Sequence, residues 1–203
     1  MKKLTALLLA ALMLLTLSGC VPSLSKMREE LFSQAPSEMP SPSPSPSPDP
    51  TVDPAMILSD EEIDAMIERA GAAAITQADI EYFLNGAYPI LADTEALAEL
   101  LQQVDTDSIT PENSAEWKPL LQQVSEKSKD LCTRFESLTP TENFADFQKL
   151  MVLGYRCFGI SMDLLIESEG EDLGKMLLAV DYMLKGNTYI QGANDIMTNM
   201  NVE

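Results

Sequence analysis

The cysteines and the missing histidines limit the chemistry that this chain can perform. The chain has three cysteines and no histidine. Without an imidazole there is no Ser–His or Cys–His pair and no histidine ligand for a metal. Carboxylates are plentiful, but none has a distinguishing position, and no Gly-rich phosphate loop follows a strand pattern. We therefore expect a protein that is not an enzyme and that uses no cofactor or metal.

The first cysteine lies at the end of an N-terminal sequence with three parts. Lys2 and Lys3 precede an uncharged, Leu- and Ala-rich stretch over residues 4–17. Its 14 residues are too few to span a bilayer comfortably, but they suit the apolar core of a signal peptide. The stretch ends in an aliphatic residue, two small residues and a cysteine: Leu17, Ser18, Gly19 and Cys20.

This ending resembles the lipobox of bacterial lipoproteins. The resemblance covers only the leader, and it implies that residues 1–19 are cleaved off and that the Cys20 thiol carries a diacylglyceryl group. Two acyl chains anchor a protein stably, whereas one chain anchors it only marginally. The expected partner is thus the membrane, and the expected location is its extracytoplasmic face. The alternative is an ordinary secretory leader followed by a chance cysteine.

The charge of the chain excludes two classes of partner. The formal charge is −19, and because residues 1–19 contain two lysines and no acid, the remainder carries −21. Phosphate binding needs Lys and Arg to displace counterions, so nucleic acid is not expected as a partner. Electrostatic docking on anionic headgroups is disfavoured for the same reason. The simplest interpretation is a surface kept soluble by its charge.

A proline-rich segment separates the lipid site from the rest of the chain. Residues 41–48 alternate Ser and Pro, within a Pro-rich stretch over residues 35–54. Each proline fixes its own φ and keeps the preceding residue out of the helical region, which favours a polyproline-II spacer. We predict a disordered tether, so the chain divides into signal peptide (1–19), anchor and linker (20–54) and folded domain (55–203). A docking peptide or a glycosylated stalk is the alternative.

Helical periodicity and capping signals dominate the folded domain. Ser59 and Glu62 form a capping box for a first short helix that is expected to end at Gly71, and a second runs from Thr76 to Asn85-Gly86. Four longer apolar stripes follow. The first covers residues 89–104, the second ends near residue 138, the third runs from 139 to about 167, and the fourth covers residues 171–200.

The last two stripes carry the clearest signals. The third begins with an expected N-cap at Thr139, Pro140 at the first helical position and a capping-box Glu142. It is apolar over most of its circumference, so it belongs in the middle of the domain. The fourth keeps one phase across Gly186, which predicts a single helix.

These stripes predict an all-α fold. We expect an up-and-down bundle of four long helices, with one or two short helices at its N-terminal end. The last two helices resemble uncharacterised helical lipoproteins of Gram-positive bacteria, a likeness that implies no functional residues.

The remaining two cysteines are expected to be free and buried. If the second and third long helices turn near Pro140, Cys132 faces residue 148. Cys157 then lies about 13 Å further along the axis at ~1.5 Å per residue. A disulfide requires Cα atoms within about 7 Å.

Other polar or soft groups fit structural roles better than binding roles. The acidic run 105–108 lacks the ligand and the glycine that a calcium loop needs. The acidic loop around Gly170 suits a helix N-terminus. Met197 and Met200 have a spacing that suits Cu(I), but methionines in a helical stripe usually fill a core.

Two functions remain for the domain. The first is a non-catalytic helical binding or scaffold protein on the membrane, which an exposed apolar patch would favour. The alternative is a ligand-binding or sensory lipoprotein accessory to a transporter or receptor, which a pocket with convergent polar groups would favour.

Overall fold

Helices form nearly all of the fold described by the computed structural model, which covers residues 56–104 and 109–200. The α-helices, in chain order, are α1 (Asp60–Ala72), α2 (Gln77–Tyr82), α3 (Tyr88–Ala92), α4 (Thr94–Gln102), α5 (Ser114–Glu136), α6 (Ala145–Glu167) and α7 (Leu173–Asn199). A π-helical turn, Phe83–Ala87, joins α2 to α3, and 3-10 turns precede α5 (Pro111–Asn113) and α6 (Glu142–Phe144). The all-α class and the bundle are confirmed.

The three long helices α5, α6 and α7 form the centre of the bundle. Short connections join them in sequence, and α6 packs against both of its neighbours. Fully buried side chains of α6 include Phe147, Leu150 and Tyr155, which confirms its predicted central place. None of the described helices is long and apolar enough to cross a membrane.

The N-terminal elements differ from the predicted ones in length and continuity. The Ser59–Glu62 capping box is present, but α1 runs through Gly71 and ends at Ala72. Asn85-Gly86 does not end a helix, because the chain continues through the π-helical turn into α3. Pro89 lacks an N–H group, so the carbonyl of residue 85 receives no α-helical hydrogen bond from it. The N–H of Tyr88 donates to the carbonyl oxygen of Phe83, five residues earlier, which is the π-helical pattern.

The first of the four predicted long helices is divided in two. α3 and α4 are separated at Asp93, whose carboxylate accepts a 2.6 Å hydrogen bond from Arg134 of α5. The hydroxyls of Thr94 and Tyr155 form a 2.7 Å hydrogen bond beside it. Asp and Thr are poor residues for a helix interior, and these contacts with α5 and α6 hold both side chains at the break.

α6 also begins later than predicted. Thr139 is not an N-cap and Pro140 lies before the helix, since the 3-10 turn starts only after Thr141. The Thr141 hydroxyl donates to the buried carboxylate of Asp79 in α2 instead of capping α6. A hydrogen bond between two residues that are 62 positions apart in the sequence therefore determines where α6 begins.

The predicted single helix over the last stripe is confirmed, and packing explains its central glycine. α7 is continuous across Gly186. A Cβ on Gly186 would lie 2.9 Å from Phe158 Cε1 and 3.1 Å from the Gly154 carbonyl oxygen of α6. The two glycines thus allow α6 and α7 to cross at close range.

We expect Gly186→Ala to destabilise the protein, although alanine is the better helix former. The gain in helix propensity is about 1 kcal/mol, whereas crowding in a packed core costs roughly 1–3 kcal/mol. Gly174→Ala in the same helix is the matched control, because its Cβ would meet only Asp172 Oδ1, at 3.4 Å. Urea unfolding should show a loss of roughly 1 kcal/mol for Gly186→Ala and no loss for Gly174→Ala. Equal free energies of unfolding for both variants would contradict the close crossing.

Candidate functional site

An open cleft lies on the surface where the end of α5 meets the first half of α6. Its volume is ≈ 370 Å³, and it is widely open to solvent. One face of α6 forms the floor, because residues spaced by three and four lie on the same side of a helix. The residues lining the cleft are Glu136, Pro140, Ala145, Gln148, Lys149, Val152, Leu153 and Arg156.

The buried side chain of Gln148 fixes the two walls of the cleft to each other. Its amide nitrogen donates to the carbonyl oxygens of Phe135, at 2.8 Å, and Leu138, at 3.1 Å, at the end of α5. Its amide oxygen accepts a 2.8 Å hydrogen bond from the Tyr82 hydroxyl. The bond to Leu138 satisfies a carbonyl at the end of α5, and the bond to Phe135 adds to the backbone N–H of Leu138, which donates to the same carbonyl at 3.1 Å. The α5–α6 connection is therefore held rigidly beside the cleft.

Arg156 marks one end of the cleft and makes several contacts. Its guanidinium donates to the Glu136 carboxylate and contacts the Met56 sulfur at 3.9 Å. The Cys132 thiol lies beside this pair and donates to the Val152 carbonyl oxygen at 3.6 Å. The positive charge of Arg156 is thus largely balanced by Glu136 within the protein.

Lys149 lies about two helical turns from Arg156, roughly 10 Å away along the axis of α6. It is exposed and has no ion-pair partner among the described residues. Lys127 and Lys185 also have no ion-pair partner within 4 Å among the described residues, but both are half-buried and neither lines the cleft. In a chain with 32 acidic and 13 basic residues, an unpaired cation at a cleft is a distinctive local charge.

Cys132 and Cys157 are both free and buried, as predicted. The predicted register was wrong, however, since Cys132 lies beside Val152 and not beside residue 148. The regular part of α6 begins only at Ala145, which moves the pairing of the two helices along by about one turn.

Burial makes both thiols poor nucleophiles. Burial, with a smaller contribution from the Glu136 charge, raises the pKa of Cys132. Burial raises the pKa of Cys157 to about 12. Because the thiolate is the reactive form, both side chains are protonated and unreactive at neutral pH.

The acidic loop around Gly170 is occupied by contacts within the protein. Glu167 and Glu169 form ion pairs with Lys175, at 3.3 Å, and Lys118, at 2.6 Å, and Asp172 caps α7. No group of three or more acidic or cysteine side chains in residues 56–104 and 109–200 is arranged to hold a metal ion. The acidic run 105–108 lies outside the described residues. Met197 and Met200 are buried in the core, where they fill space.

The lipidation site and the linker also lie outside the described residues. Leu17, Ser18, Gly19 and Cys20 thus remain predictions from the sequence, as do the boundaries 1–19 and 20–54. The cleft was not predicted. Its signal in the sequence is weak: Lys149 and Arg156 are seven residues apart in α6 with no other charged residue between them, but the opposite wall depends on the register of α5.

Comparison of the chain with models of protein families, with curated proteins and with solved structures finds no match.

Proposed function

We propose that the protein is a bacterial lipoprotein, lipidated at Cys20 and held on the extracytoplasmic face of the cell membrane. The observation that carries this proposal is the sequence Leu17-Ser18-Gly19-Cys20 at the end of a positively charged and then apolar leader. A single thiol in this position is the acceptor that such a leader requires. The linker over residues 20–54 would separate the lipid from the domain.

The packing at the start of the described fold supports a domain that begins near residue 55. The buried Tyr189 hydroxyl donates to the Met56 carbonyl oxygen at 2.5 Å and accepts from the Leu58 N–H at 3.0 Å. Met56 is itself buried. The chain is thus tied to α7 directly after the proline-rich segment, which gives the linker a fixed point of attachment.

We propose further that the domain is a binding module without catalytic activity. The missing histidine excludes Ser–His and Cys–His pairs, and the two buried thiols are protonated and therefore poor nucleophiles. Carboxylates alone would have to act across a cleft, and the cleft between α5 and α6 has one acid, Glu136, which is paired with Arg156.

Of the two binding functions, the cleft favours a small ligand over a protein scaffold. It places the unpaired ammonium of Lys149 beside aliphatic side chains and the Glu136–Arg156 pair. The large hydrophobic side chains that are exposed in the described part are Ile57 and Leu173, each 44% exposed. Ile57 adjoins the Tyr189 contact, and residues 173 and 189 are on the order of 24 Å apart along α7. They are single exposed side chains and not a docking patch.

Mass spectrometry of the mature N-terminus tests the lipoprotein proposal. We expect the protein purified from bacterial membranes to begin at Cys20, because the lipobox places cleavage before that residue. Trypsin should release a peptide over residues 20–26 whose mass is increased by a diacylglyceryl group. The peptides that contain Cys132 and Cys157 serve as internal controls and should carry no lipid. An N-terminus elsewhere, or an unmodified Cys20, would refute the proposal.

A further inference from the structure

We propose that the cleft between α5 and α6 binds a small monocarboxylate with an apolar body, and that Lys149 recognises the carboxylate. This inference rests on the proposed binding function and names the class of its ligand. It depends on three features of the cleft: its aliphatic side chains, the unpaired ammonium of Lys149, and the guanidinium of Arg156, which is already paired with Glu136.

The floor of the cleft suits an apolar body. Val152 and the largely buried Leu153 lie between Lys149 and Arg156 along α6, and Pro140 and Ala145 add aliphatic surface at the Lys149 end. Burying such surface contributes roughly 25 cal/mol for each Å² that leaves water. Because Gln148 ties the end of α5 to α6, the cleft is largely formed before a ligand enters. Little ordering of the protein then opposes binding.

The charges determine which polar group the ligand carries. Lys149 has no carboxylate partner among the described residues, so an incoming carboxylate meets an unpaired ammonium. At the other end, Glu136 already occupies Arg156 and would repel a second carboxylate. The cleft therefore favours one acidic group on the ligand, next to Lys149, with the apolar part directed toward Val152.

The negative charge of the whole chain does not exclude an anionic ligand. Salt screens interactions between exposed charges beyond about 8 Å at physiological ionic strength. Inside that distance the local cation dominates, and charge-assisted hydrogen bonds are about twice as strong as neutral ones. The chain-wide repulsion slows the approach of an anion more than it weakens the bound state.

Three probes separate the two parts of the proposed ligand. Octanoate has both a carboxylate and an apolar body, octan-1-ol has the body alone, and acetate has the carboxylate alone. The protein is the mature chain with Cys20→Ser, observed by NMR at the methyl groups of Val152 and Leu153. We expect saturable shifts with octanoate, at least fivefold weaker binding of octan-1-ol and no saturation with acetate.

Two lysine variants locate the recognition of the carboxylate. Lys149→Gln should weaken octanoate binding at least fivefold and leave octan-1-ol binding unchanged. Lys127→Gln removes the same charge from a half-buried lysine that lies near Asp93 and outside the cleft, so it should change neither affinity. Equal losses in the two variants would overturn the proposal, since only the overall charge would then matter.

The remaining outcomes distinguish this inference from the function on which it rests. Equal binding of octanoate and octan-1-ol would refute the carboxylate specificity while leaving a binding cleft. No methyl shift with any probe would refute the inference, whereas the lipoprotein proposal is tested separately at Cys20.

A second source of carboxylates is the linker of the same chain. Replacing all five acids of the linker by their amides (Glu29, Glu30, Glu38, Asp49 and Asp53) should leave octanoate affinity unchanged, and a threefold or greater increase would overturn the proposal of a free ligand.

Discussion

Replacing Cys20 with alanine is expected to release the protein from the membrane. Each buried CH₂ group of a lipid contributes about 0.8 kcal/mol, so two acyl chains provide stable anchoring that no other described feature replaces. The chain after residue 19 has a formal charge of −21 and is repelled by anionic headgroups. We therefore expect most of the Cys20→Ala protein in the soluble fraction.

The measurement must allow for a leader that stays uncleaved. Residues 4–17 are apolar and could themselves hold an unprocessed chain at the membrane. A second variant therefore replaces residues 1–19 with an ordinary secretory leader and also carries Cys20→Ala. Cell fractionation and immunoblotting should find this variant in the soluble fraction, whereas Cys132→Ala and Cys157→Ala stay in the membrane fraction. Membrane retention of the second variant would refute anchoring through Cys20.

The proposed linker would hold the folded domain away from the membrane surface. Twenty residues over 35–54 would reach on the order of 60 Å if they adopt the polyproline-II conformation expected from the sequence, at ~3.1 Å per residue. That length is several times the ~8 Å over which surface charges act at physiological ionic strength. An acidic domain at the end of such a spacer would lie beyond the repulsion of the headgroups, with its cleft open to dissolved ligands. Anchoring and binding are thus compatible in one chain.

Local signals in the sequence predicted much of the fold. The Ser59–Glu62 capping box and the 3.6-residue spacing of apolar side chains are short-range features, and both correspond to helices in the structure. The continuity of α7 across Gly186 followed from the unbroken phase of its stripe. Such features can be predicted from the sequence because the interactions that cause them join residues only three or four positions apart.

The errors in the predicted helix boundaries arose where a side chain forms a hydrogen bond with a residue far away in the sequence. Thr139 was expected to cap a helix, but Asp79 recruits Thr141 and the helix begins later. Arg134 similarly holds Asp93 at the break between α3 and α4. The cleft was missed for the same reason, because it exists only at the observed register of α5 against α6. That Lys149 has no ion-pair partner among the described residues can be seen only when the positions of the surrounding carboxylates are known.

The largest effect on stability is expected at Asp79, the residue responsible for one of these errors. Asp79 is an ionisable group, yet it is only 1% exposed because its hydrogen-bond partners cover it. Its Oδ2 accepts hydrogen bonds from the Thr76 N–H and hydroxyl, both at 2.7 Å, and from Asn143 at 2.9 Å. Its Oδ1 accepts from the Thr141 hydroxyl. The carboxylate thus joins α2 to the segment that precedes α6.

Asp79→Asn should destabilise the protein by about 3 kcal/mol, because hydrogen bonds to a charged group contribute roughly 1.5–3 kcal/mol each. The asparagine amide would also face donors with a donor of its own. Glu81→Gln is the matched control: it makes the same charge change on an exposed side chain of α2 and should stay within about 0.5 kcal/mol of the parent. Urea unfolding followed by circular dichroism measures both free energies.

The pH dependence shows whether the charge of Asp79 is responsible. Burial alone would raise the pKa of this carboxyl, but its hydrogen bonds with Thr141, Thr76 and Asn143 outweigh burial and hold the pKa below the ordinary value of 3.8. A group with a lowered pKa in the folded state stabilises the protein above its unfolded pKa, and this contribution is lost as the pH falls through the folded pKa. The advantage of the parent over Asp79→Asn should therefore be complete at pH 7 and shrink below about pH 4. Because the comparison uses two chains that differ at one residue, titration of the other acids cancels. If the difference stayed constant down to pH 2, steric fit and not the carboxylate charge would hold α2 against the start of α6.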